Sequence, residues 1–180
     1  MDALIPSWLT AQAATLIAAI IAAFASLAKL FFDRKVEDRN ARRKLIEPVI
    51  SDLAEALYEV LATSKTILLA RPGVQSEGWR RRAAEGRARL MKIRPKVRYC
   101  LWGLDEGLRV VSRMPGWVQH AKSNEGRAKE LIGYGTALRF ALDVSIQRSY
   151  YYGRPPSIIE RLIVLALAKK CRRIFESGRS

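Results

Sequence analysis

The chain has 180 residues, 49% of them hydrophobic, and 32 Lys and Arg against 17 Asp and Glu, a formal net charge of +15. That length holds one modest domain beside a membrane anchor, and so large a surplus of charge calls for an anionic partner, either lipid headgroups or nucleic acid. One His and two Cys (Cys100 and Cys171) without Cys-x-x-Cys spacing give no support to a Cys/His metal site, and no motif asks for a cofactor.

After a short N-terminal segment, residues 1–8, the stretch from Leu9 to Phe32 (LTAQAATLIAAIIAAFASLAKLFF) reads as a membrane-spanning helix. About 20 apolar residues cross the hydrocarbon core of a bilayer, and the polar exceptions, Gln12 and Lys29, fall near the two ends. Trp8 on one side and Phe31 and Phe32 on the other sit where interfacial aromatics belong, and Lys29 is close enough to lift its ammonium into the headgroups. Residues 1–8 carry no Lys or Arg, whereas Arg34, Lys35, Arg39, Arg42, Arg43 and Lys44 follow the span, so the positive-inside bias puts the N-terminus outside and residues 33–180 on the cytoplasmic side. Two rivals are a cleaved secretory signal, which lacks its positive n-region and has Asp2 instead, and an Ala-rich core helix of a soluble bundle.

Within the span Ala14, Ala18, Ala22 and Ser26 recur every four residues, and Thr15, Ala19 and Ala23 form a second row about 100° round the helix. Leu16, Ile17, Ile20, Ile21 and Phe24 occupy the other side. Helices in lipid associate by close approach of small-residue faces, and two adjacent faces suit a homo-oligomer of more than two copies; the alternative is an anchor with no partner, since small residues every four positions arise by chance in Ala-rich helices.

The charges of residues 1–32, Asp2 and Lys29, cancel, so the whole surplus lies beyond them. Apolar positions there fall at spacings of three and four, which predicts an all-α chain. Residues 33–70 comprise a polar juxtamembrane extension (DRKVEDRNARRK), suited to anionic lipid, and a first bundle helix with Leu45, Val49, Leu53, Leu57 and Leu61 inward, widened by Ile46, Ile50, Val60, Ile67 and Leu68. Pro48 predicts a kink or a new start, and Arg71-Pro72-Gly73 a turn. Residues 71–180 form the remainder of the basic bundle.

Its first part, Gly78 to Tyr99, holds Arg80, Arg81, Arg82, Arg87, Arg89, Lys92, Arg94, Lys96 and Arg98 against Glu85 alone. Such a band can hold RNA phosphates, coat a membrane or line a vestibule for anions. A further helix is expected beyond Pro95, with Val97, Cys100, Leu101, Leu104, Leu108 and Val111 inward, ending at Met114-Pro115-Gly116. Ser123 or Asn124 should cap a helix to about Tyr152 with Leu131, Ile132, Leu138, Phe140, Ala141 and Val144 inward, and Gly133 and Gly135 weaken it or allow close packing. Tyr150-Tyr151-Tyr152 among Arg148 and Arg154 either stacks on bases or closes the bundle. Ser157 and Glu160 make a capping box for a last helix with Ile158, Ile159, Leu162, Ile163, Leu165, Ala166, Cys171 and Ile174 inward, and both cysteines should be reduced core residues.

Arg113 and His120, with six residues between them, fit the loose Arg-x4-6-His pattern of the helical HEPN ribonucleases, although Met114, Pro115 and Gly116 depart from the polar residue usual after the Arg. In that chemistry the imidazole moves a proton of the ribose 2′-hydroxyl or leaving oxygen and the guanidinium steadies phosphate charge. A simpler role for Arg113 is a helix-end cation, and for His120 a surface loop residue. One span with the N-terminus out, a basic helical domain and this Arg and His together resemble the small membrane-anchored, HEPN-like accessory proteins of RNA-targeting type VI-B CRISPR systems. The resemblance implies a degenerate HEPN-like bundle, a homo-oligomeric pore that depolarises the membrane in antiviral defence, and an RNA-guided effector and RNA as partners. The residues by themselves leave two other expectations: a tethered endoribonuclease, or a basic tether for RNA or anionic lipid.

Overall fold

Apolar residues spaced by three and four, with few β-branched runs outside the first 30 positions, fold as helices. The computed structural model describes residues 7–70 and 76–178, and among them are five helices and no strand: α1 (Ser7–Leu69), α2 (Ser76–Cys100), α3 (Asp105–Ala121), α4 (Glu125–Tyr152) and α5 (Ile158–Glu176). The all-α expectation therefore holds. The side chains of residues 8–12, including Trp8, and those of Tyr99 and Cys100 lie outside the described set, as does the Arg71-Pro72-Gly73 turn.

The chain divides into two units, Met1–Asn40 and Ala41–Ser180. In the first, every side chain from Ala13 onward is exposed, including Leu16, Ile20, Phe24, Leu27 and Phe31. The helix is long and apolar enough to cross a membrane. Ser26 donates its hydroxyl to the Ala22 carbonyl at 2.8 Å, so the polar member of one small-residue row is satisfied within the helix.

The second unit carries the core. α1 contributes Ile46, Val49, Leu53, Ala56, Leu57, Val60, Leu61 and Ile67; of the expected every-fourth row Leu45 alone is exposed. α3 is the central element, packed on α2, α4 and α5. Two glycines allow that. A Cβ on Gly107 would stand 2.5 Å from Val164 Cγ1, and one on Gly135 would stand 2.5 Å from Met114 Cε, so side chains of α5 and α3 fill the space a larger residue would need. Gly133 has open space around it and serves no such packing.

The helices run through three prolines, which overturns the boundaries expected at Pro95 and Pro115 and the new start that was one of the two alternatives at Pro48. α1 continues through Pro48, α2 through Pro95 and α3 through Pro115, each losing one backbone hydrogen bond inside a helix fixed by packing on both sides of the site. The break between α2 and α3 falls instead at Leu101–Leu104, where Gly103 has φ 92°, a left-handed conformation that favours glycine. Met114-Pro115-Gly116 consequently lies inside α3 and not at its end.

The caps follow the sequence. Asn124 Oδ1 accepts from the Arg127 amide at 3.1 Å, and Gly153 closes α4 in the αL conformation, φ 57°. The α4 terminus gains a cation from a distant segment: Arg43 of α1 donates to the Tyr150 carbonyl at 3.2 Å and also to that of Tyr151. At α5, Ser157 Oγ accepts from the Glu160 amide at 3.2 Å and Glu160 Oε2 accepts from the Ser157 amide at 2.7 Å. Burial pushes the Glu160 carboxyl up, but these bonds and Arg148 outweigh it and hold it below its ordinary range.

The faces of α4 and α5 need correcting. Phe140 points outward, 70% exposed, and Ile132, Ala141 and Val144 are only half-buried. On α5 the core side is Glu160, Val164, Ala168, Cys171 and Ile174, whereas Ile158, Ile159, Leu162, Ile163, Leu165 and Ala166 face out. Glu160 and Arg161 marked the wrong side as polar: Glu160 sits on the buried face, where the Ser157 capping bonds and Arg148 satisfy its carboxylate. Cys171 is a free core thiol whose pKa burial pushes up to about 11, which makes it inert. Leu57→Ala should cost about 2–5 kcal/mol of stability. Leu162→Ala, at the outward face, should cost under about 0.5 kcal/mol. Thermal melts of the detergent-solubilised chain compare the two, and equal losses would refute the assigned faces.

Candidate functional site: a basic cleft between α2, α3 and α5

α2 buries only a narrow stripe, Gly86, Leu90, Ile93 and Val97, and leaves the rest of its circumference to solvent. Its nine cations therefore point in several directions, and the fold supplies acids that the local sequence lacks. Arg81 pairs with Glu85 at 3.0 Å, and Arg89 reaches Glu59 and Glu55 of α1 at 3.3 and 3.5 Å. Arg82 lies over the Trp79 ring, 5.7 Å from its centroid. Arg94 grips Asp105 at the start of α3 through two bonds of 2.5 and 2.7 Å, and this hydrogen bonding holds the Asp105 carboxyl below the usual carboxylate range and the Arg94 guanidinium above its own. Among the described residues no acid pairs with Arg80, Arg87, Lys92, Lys96 or Arg98, although Arg98 is near enough to Asp105 to lower its pKa further.

Two of these unpaired cations enter a cleft of about 950 Å³ bounded by α2, α3, α5 and the end of α1. Arg80 and Arg87 are seven residues apart on α2, and Arg113 and His120 are seven apart on α3. Seven residues are close to two helical turns, so each pair shares a face, its members separated by a rise of about 10.5 Å. Both pairs line the same cleft. Arg113 is thus a mid-helix residue and His120 a last-turn helical residue, and neither occupies a helix end or a loop as expected from the Pro-Gly step. His120 Nδ1 donates to the Gly116 carbonyl at 2.8 Å, since a carbonyl can only accept, and that fixes Nε2 of the neutral ring as the nitrogen left to take a proton.

The remaining walls come from residues the sequence did not bring to mind. Trp117 stacks on Phe175 with centroids 4.7 Å apart, and His120 meets Phe175 edge-on at 6.3 Å. Lys122 donates to the Ala70 carbonyl at 2.6 Å and closes the α1 end of the cleft, while Arg172 is held by Glu106. Glu176 is the one unpaired carboxylate among the lining residues. Three guanidinium groups without acid partners facing one cleft repel one another, and an entering anion relieves that repulsion; phosphate groups suit it best because their oxygens take bidentate guanidinium bonds. The i, i+7 spacing of both pairs was visible in the sequence; the approach of α5 was not. The expected small-residue rows, Ala14, Ala18, Ala22 and Ser26 with Thr15, Ala19 and Ala23, are fully exposed on α1. Tyr151 and Tyr152 are exposed at the end of α4, edge to face with centroids 5.2 Å apart, and Arg154 covers Tyr152.

Two expectations follow. Replacing Arg80, Arg87 and Arg113 together by Ala should lower the salt needed to elute the protein from an immobilised polyanion more than replacing the acid-paired Arg81, Arg89 and Arg94 does. Asp105 has a depressed folded pKa, so its contribution to stability is complete above the unfolded value of about 3.9 and disappears as pH falls through the lower folded value. The stability gap between wild type and Arg94→Gln, read from melts across a pH series, should accordingly be constant from pH 7 to 5 and narrow in stronger acid. No family model, no curated protein and no solved structure matches this chain.

Proposed function

We propose that this chain is a single-pass membrane protein, N-terminus outside and helical domain in the cytoplasm, that assembles from several copies into a pore-like complex of the bacterial inner membrane. The observation that carries it is the run from Ala13 to Val36, whose apolar side chains are all exposed. Lipid accounts for the large residues, and the two exposed rows of small residues account for contact with copies. A ring of such bundles would present the unpaired arginines of the cleft as a cationic vestibule. The accessory role in RNA-targeting CRISPR defence, with membrane depolarisation as its output, rests on the resemblance drawn from sequence.

A second function is favoured by one specific observation, the joint placement of Arg113 and His120 on one face of a basic cleft. That arrangement suits an endoribonuclease in which His120 Nε2 takes the 2′-hydroxyl proton and Arg113 bears on the phosphate.

Native mass measurement of the detergent-solubilised protein should give a defined multimer, and Ala18→Leu with Ala22→Leu should reduce it to smaller species. A monomer in wild type would dismiss the assembly. Cells expressing the protein beside its effector should lose dye-reported membrane potential on activation, and the double variant should hold it. If purified protein cleaves RNA and His120→Ala stops it while leaving the multimer intact, the enzymatic function replaces the non-catalytic one.

A further inference from the structure

The outward face of α5 is the least expected surface of the cytoplasmic unit. Ile158, Ile159, Leu162 and Ile163 are 69, 70, 58 and 48% exposed, and Leu165 and Ala166 lie on the same side. Successive positions turn by about 100°, which puts all six on one face opposite the buried Val164, Ala168 and Cys171. Farther along, that face changes to Lys169, Lys170 and Arg173, with Glu176 as its only exposed acid. Beside the aliphatic half stands Trp102, 65% exposed, in the turn between α2 and α3; the Arg161 guanidinium covers its ring at 4.6 Å.

We propose that this face rests on the anionic surface of a bilayer, its aliphatic half in the acyl boundary and its cationic half among phosphate headgroups. A contiguous aliphatic patch of this kind marks an interaction site. Charge decides the occupant. The face ends in three cations on a chain of net charge +15, so a second copy laid on it would set like charge against like. An anionic leaflet complements both halves at once, and an exposed Trp bordering aliphatics and flanking Lys and Arg is the composition of helices that lie in an interface. The proposal rests on the membrane location of the chain, and it adds a second, peripheral contact made by the cytoplasmic unit.

The test uses the full chain reconstituted in vesicles, with an environment-sensitive NBD probe on Ile159→Cys and the wild-type chain carried through the same labelling as blank. Vesicles of phosphatidylcholine alone are compared with vesicles one-third phosphatidylglycerol, and spin-labelled lipid serves as quencher. Blue-shifted emission, quenched by the lipid, stronger with phosphatidylglycerol and unchanged when protein is diluted in lipid, is the expected result. Each basic residue near an anionic surface strengthens partition roughly fivefold, so Lys169→Glu with Lys170→Glu and Arg173→Glu should bring the quenching down to the phosphatidylcholine level. A blue shift that resists lipid quenching and fades on dilution would assign the face to a second copy and overturn the proposal, as would emission typical of water in both vesicles. Protein that fails to float with the vesicles at all would instead refute the membrane span.

Discussion

One imbalance sets the terms for the rest of the molecule: the large apolar side chains of the first unit stand exposed. Leu16, Ile17, Ile20, Ile21, Phe24, Leu27, Leu30, Phe31 and Phe32 are each more than half exposed, and burying a side chain of that size is worth about 1.5–3 kcal/mol. The second unit completes a core of its own from residue 46 onward. A bilayer would supply cover for these side chains, and the helix meets the other demand of that environment, since the Ser26 hydroxyl is bonded within the segment.

The fold was legible where one physical signal acted alone. The caps at Asn124 and Ser157 and the glycine stop at Gly153 are local bonds between neighbours in sequence, and a four-residue pattern is enough to read them. Prolines misled because their effect is a balance. The lost hydrogen bond at Pro48, Pro95 or Pro115 is weighed against packing on both flanks, and the sequence contains only one side of that comparison. Glycine at 103 carried the true break, since a positive φ demands it. α5 misled for a different reason. Its one buried carboxylate, Glu160, lies on the core side beside Val164 and Ala168, so the charged position pointed away from the true face.

The candidate site was half legible. Its cations were evident from composition, yet which of them are free depended on acids 30 or more residues distant, Glu55 and Glu59 against Arg89, and on Asp105 against Arg94. Counting charges from Gly78 to Tyr99 gave one acid for nine cations, and the folded chain brings three more, Glu55, Glu59 and Asp105. The result sharpens the site: Arg89 and Arg94 tie α2 to α1 and α3, and of the unpaired cations Arg80 and Arg87 line the cleft.

That division bears on how a strongly basic domain stays folded. Like charges on one surface favour expansion, and the cost is lowest where each cation either has a structural acid or projects into water. Arg80, Arg87 and Arg113 do neither fully, since they share a cleft. Arg43 and Lys122 show another solution, spending their charge on the carbonyl ends of α4 and α1, where the helix dipole is negative. The cleft thus gathers three guanidinium groups that no acid among the described residues pairs with. An anion entering there would stabilise the bundle as well as bind to it, so occupancy of the cleft and rigidity of the α2–α3 pair are thermodynamically linked.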